Sequence, residues 1–442
     1  MARLLIQNGR VISPEDKLDV ALDLLIEDGT ICEMGPHLSV PADDTFDAQG
    51  QIVAPGLVDI HVHLREPGGE ISETLETGLR AAVAGGFTSV CPMPNTRPVN
   101  DSTELTRHLV SRAEELKLAR VFPIAAVTLG SQGETLADFE DLMAAGAVGF
   151  SDDGKPVKTS VLMKEALEKG KKLGVPIIDH CEVPELSAGG VMNEGAHSQS
   201  LGLRGIPNSA EDGCIARDIE IAGATGGHLH VAHLSTAGGI RMVHEAKERG
   251  LNVTCEVTPH HFTLTDGDVA RYGTHAKMNP PLRKASDVEA LIEGIHDGVV
   301  DAIATDHAPH AAALKSRPMA EAPFGITGLE TALALGLRQL VHPGKISMAQ
   351  LIALMSSKPA RVINKSLGRI RVGGAADLTV FDPEVEWIYH AADGYSKSRN
   401  SPFDGWKFRG AVTATVVEGR IVFRRGSARK GRVSLDFPPS AS

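Results

Sequence analysis

Two histidines in the run VDIHVHLREPG, His61 and His63, are spaced to share one face of a strand, because successive strand side chains point to opposite sides. Both imidazoles could then hold one metal ion from a rigid support. Further ligand-type residues close later apolar runs: an aspartate of FSDDG, His180 of IIDHCE, His233 of HLHVAHLST and Asp306 of IATDHAPH. An isolated HxH would as readily be two ordinary polar side chains. Repetition of ligand types at comparable strand ends turns the reading toward a metal site.

Each candidate has its own reasoning. FSDDG offers Asp152 and Asp153, between which alternation cannot choose, and DDG is also a turn former. His228 and His230 fall on one strand face, while His233 lies at the carboxyl-terminal rim and is taken as the ligand. His260 and His261, in VTPHH, are read as neighbours of the site. A carboxylate at Asp306 can bind metal and also accept a proton from a metal-acidified water, so it is the candidate general base and acid.

The elements that must hold these residues follow from periodicity. From about Leu57, short β-branched runs alternate with amphipathic helical stretches. Eight strand runs begin at Leu57, Phe87, Arg120, Ala147, Val175, His228, Asn252 and Val300, with helices expected over 104–116, 136–145, 160–173, 237–249 and 288–296. Eight βα units predict an α/β chain forming a (β/α)8 TIM-type barrel, whose active site lies at the carboxyl-terminal strand ends. Outside it, 1–55 and 366–442 carry short strands and tight turns, and neither is long enough for its own core. They are expected to form one small β-sandwich domain beside a barrel spanning 56–365. The polar run 396–401 before Pro402 reads as a surface excursion.

The formal net charge of −12 argues against nucleic-acid or anionic-membrane partners, so an anionic substrate would have to be held by a few placed cations. Five scattered cysteines without a CxxC fit a reducing cytoplasm. The amino terminus shows no signal-peptide core, and no run has the apolar length of a membrane span.

Together VDIHVHLREPG, PMPNTRP, FSDDG, DHCE, HVAHLST, KMNPPLR, DHAPH and EAPFGITGLET resemble the dihydroorotases of the longer, class I type, within the amidohydrolase superfamily. The resemblance covers nearly the whole chain. It implies one zinc held by His61, His63 and Asp306, a second by His180 and His233, and Asp153 as the bridge where many relatives use a carboxylated lysine. It implies reversible cyclisation of N-carbamoyl-L-aspartate to L-dihydroorotate in pyrimidine synthesis. Asp306 would carry the proton to the ring nitrogen. Arg65, Asn95 and His310 would hold the substrate carboxylate, and Asn279, Phe324 and Gly325 the ring, with His63 serving both metal and substrate. A homodimer, and association with aspartate transcarbamoylase, are implied as well. The loop 308–322 or 95–102 is expected to move over the substrate. A hydantoinase or allantoinase would share the barrel and histidines, but would not call for this carboxylate-binding trio. A silent scaffold subunit should have lost ligands that this chain retains.

Overall fold

The computed structural model describes residues 3–426; residues 427–442, the end of the expected carboxyl-terminal piece, lie outside the described residues. The eight expected strand runs form parallel strands at Leu57–Val62, Phe87–Pro92, Arg120–Val121 with Ile124–Ala125, Gly149–Phe150, Ile177–Asp179, Leu229–Val231, Val253–Val257 and Ala302–Ile303. All six residues of the first strand and all six of the second are buried. Helices cover the outside and side chains fill the inside, which is why these runs read as nearly continuous apolar stretches.

Hydrogen bonding divides the barrel into a three-stranded and a six-stranded parallel sheet. They meet within the third strand, which is interrupted between its two short pieces. The other seam closes where His63 N–H donates to His307 O at 2.9 Å, beside a parallel bridge from Val62 to His307. The end of the eighth strand is thereby brought against the end of the first, which places Asp306 beside the HxH pair.

Helices lie at Thr103–Leu116, Phe139–Ala144, Ser160–Leu173, Ala237–Glu248 and Ala285–His296, close to the expected ranges. Ser102, Thr159 and Thr236 cap three of them by accepting the N–H groups of Leu105, Leu162 and Gly239. Leu75–Ala84 and the 18-residue Asn208–Thr225 were not among the expected helices. In the second, the buried Glu211 and Asp218 interrupt the apolar stripe, so polar contacts replace part of the usual amphipathic signal.

Both chain ends join in one eight-stranded sheet, in which Ile52–Pro55 pairs with Arg3–Ser13 on one side and Leu378–Ile388 on the other. The expected sandwich is thus one hydrogen-bonded sheet, seven strands in a single path with Asp44–Asp47 paired to Arg3–Ser13 off it. Its apolar cluster draws Ile6, Leu24 and Val53 from the first piece and Leu378, Val380 and Val416 from the second. We propose on this pairing that 1–55 and 366–442 constitute the small domain and 56–365 the barrel.

The run 396–401 is not a surface excursion: Ser396, Ser398, Asn400 and Ser401 are buried. Their polar groups are consumed inside, Ser396 on Glu73 and Ser398 on Ser72 O, so polarity here marks internal hydrogen bonding instead of solvent.

Arg283, in the KMNPPLR run, is 2% exposed and ties several loops together. It donates to Glu211, Ser235, Asn193, Asn208 and Ile206 O at 3.0–3.3 Å. Arg283→Met leaves the Glu211 charge buried without its partner and is expected to cost about 3–5 kcal/mol. Denaturant unfolding reads this directly; a loss under about 1 kcal/mol would show that solvent reaches Glu211.

Candidate metal centre at the barrel mouth

All six expected ligand residues converge at the carboxyl-terminal end of the barrel, and all six are buried. Asp153 sits between two groups of imidazoles. Its Oδ1 lies 3.3 Å from His61 Nε2, 3.6 Å from His180 Nδ1 and 3.6 Å from His233 Nε2, while Oδ2 lies 3.5 Å from His63 Nε2. Asp306 Oδ1 is 3.0 Å from His63 Nε2 and 3.7 Å from His61 Nε2. On the other side, His180 Nδ1 and His233 Nε2 are 2.9 Å apart. The ambiguity within FSDDG is resolved by direction: Asp152 turns away to accept from Thr128 N and Oγ1, leaving Asp153 facing the cluster.

The backbone has been bent to achieve this. Arg65, His233 and Asp306 all have positive φ, at 61°, 32° and 44°. Such conformations are uncommon for residues with a Cβ and gather at functional sites, where surrounding packing holds them.

The donor set fits a metal cation. His61 Nε2, Asp153 Oδ1 and His233 Nδ1 are buried without a hydrogen-bond partner, a costly condition for polar atoms. Donor atoms of His61, His63 and Asp153 lie within 4.8 Å of one another, as do those of Asp153, His180 and His233, so Asp153 belongs to both sets. Electrostatics agree. Although burial pulls the His61 imidazolium down, Glu256, Asp153 and Asp306 push it well above the usual range. Burial raises Asp306, but His61 and His63 overcome this and hold it at about 2. A bound cation would supply the positive charge that a proton on His61 otherwise provides.

One supporting residue was not singled out in the sequence. Glu256, on the seventh strand, accepts from His61 Nδ1 at 2.5 Å, from His233 N at 3.2 Å and from His230 Nε2 at 3.2 Å. His230 in turn meets Thr254 Oγ1 at 2.8 Å, as does His228. The histidines beneath the rim therefore support the cluster from within the barrel. A carboxylate inside the apolar run NVTCEV, on the face shared with Thr254, was the available signal. His261 is engaged by Pro280 O and Thr258, and His260 is buried beside it.

Of the expected substrate residues, Arg65, Asn95, Asn279, His310 and Phe324 form a half-buried rim around the buried cluster, while His63 and Gly325 are buried. Asn95 Oδ1 accepts from His63 Nδ1 at 2.9 Å, and its amide faces Asp153. Arg65 points inward, donating to Pro309 O at 3.2 Å and lying 3.4 Å from His310 Nε2. Glu66, its neighbour in sequence, instead accepts from Leu75 N. Asn279 contacts His180 Nε2 and Glu182, both at 3.1 Å, so it also orients an imidazole of the cluster. His310 donates to Phe324 O at 2.7 Å. Gly325 has φ of 151°, and a Cβ there would stand 2.5 Å from Ala308 O, which only glycine avoids.

A parallel barrel with buried histidines and aspartates at its carboxyl-terminal mouth defines a metal-dependent amidohydrolase. The chain matches the dihydro-orotase-like family over residues 50–238 and the amidohydrolase family over 221–423. It is 50% identical to the dihydroorotase of Solibacter usitatus over 425 residues, covering 96% of this chain and 99% of that one. It is also 50% identical to the dihydroorotase of a Geobacter species, strain M21, covering 96% and 100%. In structure it is similar to the L-hydantoinase of Arthrobacter aurescens, with a TM-score of 0.86 at 26% identity over 99% and 98% of the two chains. The dihydropyrimidinase of Brevibacillus agri shares the fold, at a TM-score of 0.81 and 22% identity over 96% and 95%. The chain belongs to the dihydroorotase family, hydrolases of cyclic amide bonds.

Glu256→Gln keeps the shape of the side chain but removes the charge facing His61. Metal affinity is expected to fall about 10–100-fold in chelator competition. Unchanged affinity would show that Glu256 does not tune this imidazole.

Proposed function

We propose that this chain is a zinc-dependent dihydroorotase interconverting N-carbamoyl-L-aspartate and L-dihydroorotate, with His61, His63, Asp153, His180, His233 and Asp306 as metal ligands. The observation that carries this reading is the pairing of that cluster with Arg65, an inward cation whose direct hydrogen bonds go to neutral groups, Pro309 O and His310. An acidic substrate supplies the carboxylate that Arg65 lacks, and the planar guanidinium matches it in two hydrogen bonds.

Bound zinc supplies Lewis acidity toward the amide carbonyl and acidifies water. Asp306, ionised at neutral pH, accepts the water proton and delivers it to the leaving ring nitrogen. In the cyclising direction it returns the proton. Arg65, Asn95 and His310 hold the substrate carboxylate, so the ring presents one amide to Asp306. Asn279 and the backbone at Phe324 and Gly325 meet the remaining ring polar groups. The likeness to hydantoinases raises a second reading, a neutral cyclic-amide hydrolase, against which Asp153 at the bridging place and the inward Arg65 weigh. The finer parts of the proposal, zinc as the metal, a homodimer, a cytoplasmic setting and association with aspartate transcarbamoylase, rest on the family likeness. Among the described residues no helix is long and apolar enough to cross a membrane.

Purified enzyme is expected to open L-dihydroorotate in preference to hydantoin and allantoin. Asp306→Asn should lower that rate about 10²–10⁴-fold, with metal content assayed alongside. Preferred turnover of hydantoin, or a metal-loaded Asp306→Asn variant of normal rate, would overturn the reading. Stripping the metal with a chelator should abolish turnover and added zinc restore it; persistent activity in verified metal-free protein would exclude the proposed dependence.

A further inference from the structure

Two buried lysines beside the rim have no carboxylate partner among the described residues, and the ligand and substrate roles above do not use them. Lys315 is 3% exposed, and its Nζ donates only to Pro323 O and Gly325 O, each at 3.0 Å. Lys277 is also 3% exposed; its Nζ donates to Met319 O at 2.6 Å and stands 4.5 Å above the Phe324 ring. Cations withdrawn from water are costly unless an opposite charge is near. Carbonyl dipoles offset part of that cost. Burial and the neighbouring Lys277 push Lys315 down to about 7, and no carboxylate acts to raise it.

Their placement gives this surplus charge a purpose. Lys315 ties down the carbonyls of Pro323 and Gly325 on either side of Phe324, whose own carbonyl accepts from His310, while Lys277 stands over the Phe324 ring. Asn400 completes the clamp by donating to Gly325 O at 3.0 Å and accepting from His310 N at 3.0 Å. The segment that offers backbone groups to a substrate ring is therefore held by buried cations, next to an arginine that also lacks a direct anionic partner.

We propose that Lys315 and Lys277 are positioning and specificity-determining residues: Lys315 on the carbonyls and Lys277 over the ring hold the Phe324–Gly325 segment, and in their protonated form they supply the positive potential that favours a carboxylate-bearing ring over its neutral counterpart. The proposal rests on the dihydroorotase reading. It predicts a selective effect. Loss of shape alone would weaken acidic and neutral rings equally, whereas loss of this potential weakens the acidic ring more.

The test uses the metal-loaded enzyme and two planar probes, orotate and its acid-free counterpart uracil, in equilibrium binding. Lys315→Met is expected to shrink the wild-type preference for orotate about tenfold or more, and Lys315→Arg to restore most of it. With L-dihydroorotate, Lys315→Met should raise KM about tenfold and change kcat less than threefold, at wild-type metal content. An unchanged orotate-to-uracil ratio, or a fall in kcat alone, would overturn the proposal. If Lys315→Met does not fold, Lys277→Met is measured by the same ratio and the same criteria apply. Because binding needs no turnover, the two failures are distinguishable: wild-type enzyme that does not open dihydroorotate sinks the functional reading, whereas an unchanged orotate-to-uracil ratio in Lys315→Met of an active enzyme sinks this proposal alone.

Discussion

A carboxylate buried among four imidazoles persists only where positive charge stays with it. Asp153 is that carboxylate, and the architecture around it serves this requirement. Its Oδ1 faces His61, His180 and His233 and its Oδ2 faces His63, Asp306 contacts His63 from the same cluster, and Glu256 holds His61 from behind. Removing such a group of charges from water without a cation or protons would cost more than a domain's whole stability margin. The same condition that makes the cluster costly in isolation makes it a strong metal site.

The barrel meets this condition by drawing the ligands from five strand ends, with only His61 and His63 supplied together by the first strand and both on the same face. Its closing seam brings Asp306 to His63, and the His230–Glu256 contact reaches up from the barrel interior. The carboxyl-terminal region contributes as well. Asn400, far along the chain, fastens His310 and Gly325, and Ser396 binds Glu73, which pairs with His307 beside Asp306. The rim that would meet substrate is consequently tied to both the barrel and the chain's return toward the small domain.

Much of this was legible from periodicity and residue type. His61 and His63 follow from strand alternation, and eight apolar runs, five of them ending in ligand types, imply a barrel mouth. The remaining features depend on direction or on distant contacts. Asp152 and Asp153 are chemically identical in sequence and differ only in that one turns toward Thr128. Ser396 and Asn400 look like a solvent loop until their partners, Glu73 and His310, are known. The helix Asn208–Thr225 was hidden because its buried face carries Glu211, matched by the distant Arg283, and Asp218, paired with the adjacent Arg217 of the same helix. The single-sheet pairing of the chain ends likewise depends on contacts more than 300 residues apart.

Anomalous X-ray diffraction at the zinc absorption edge, on crystals of enzyme purified without chelator, addresses the centre most directly. Scattering is predicted within coordination distance of His61, His63 and Asp306, on the side of Asp153 that faces them. Metal-loaded crystals with no anomalous peak at this cluster, or with the metal held instead by the separate group Asp179, Cys181, Cys214 and Asp218, would contradict the assignment of the barrel mouth as the metal centre.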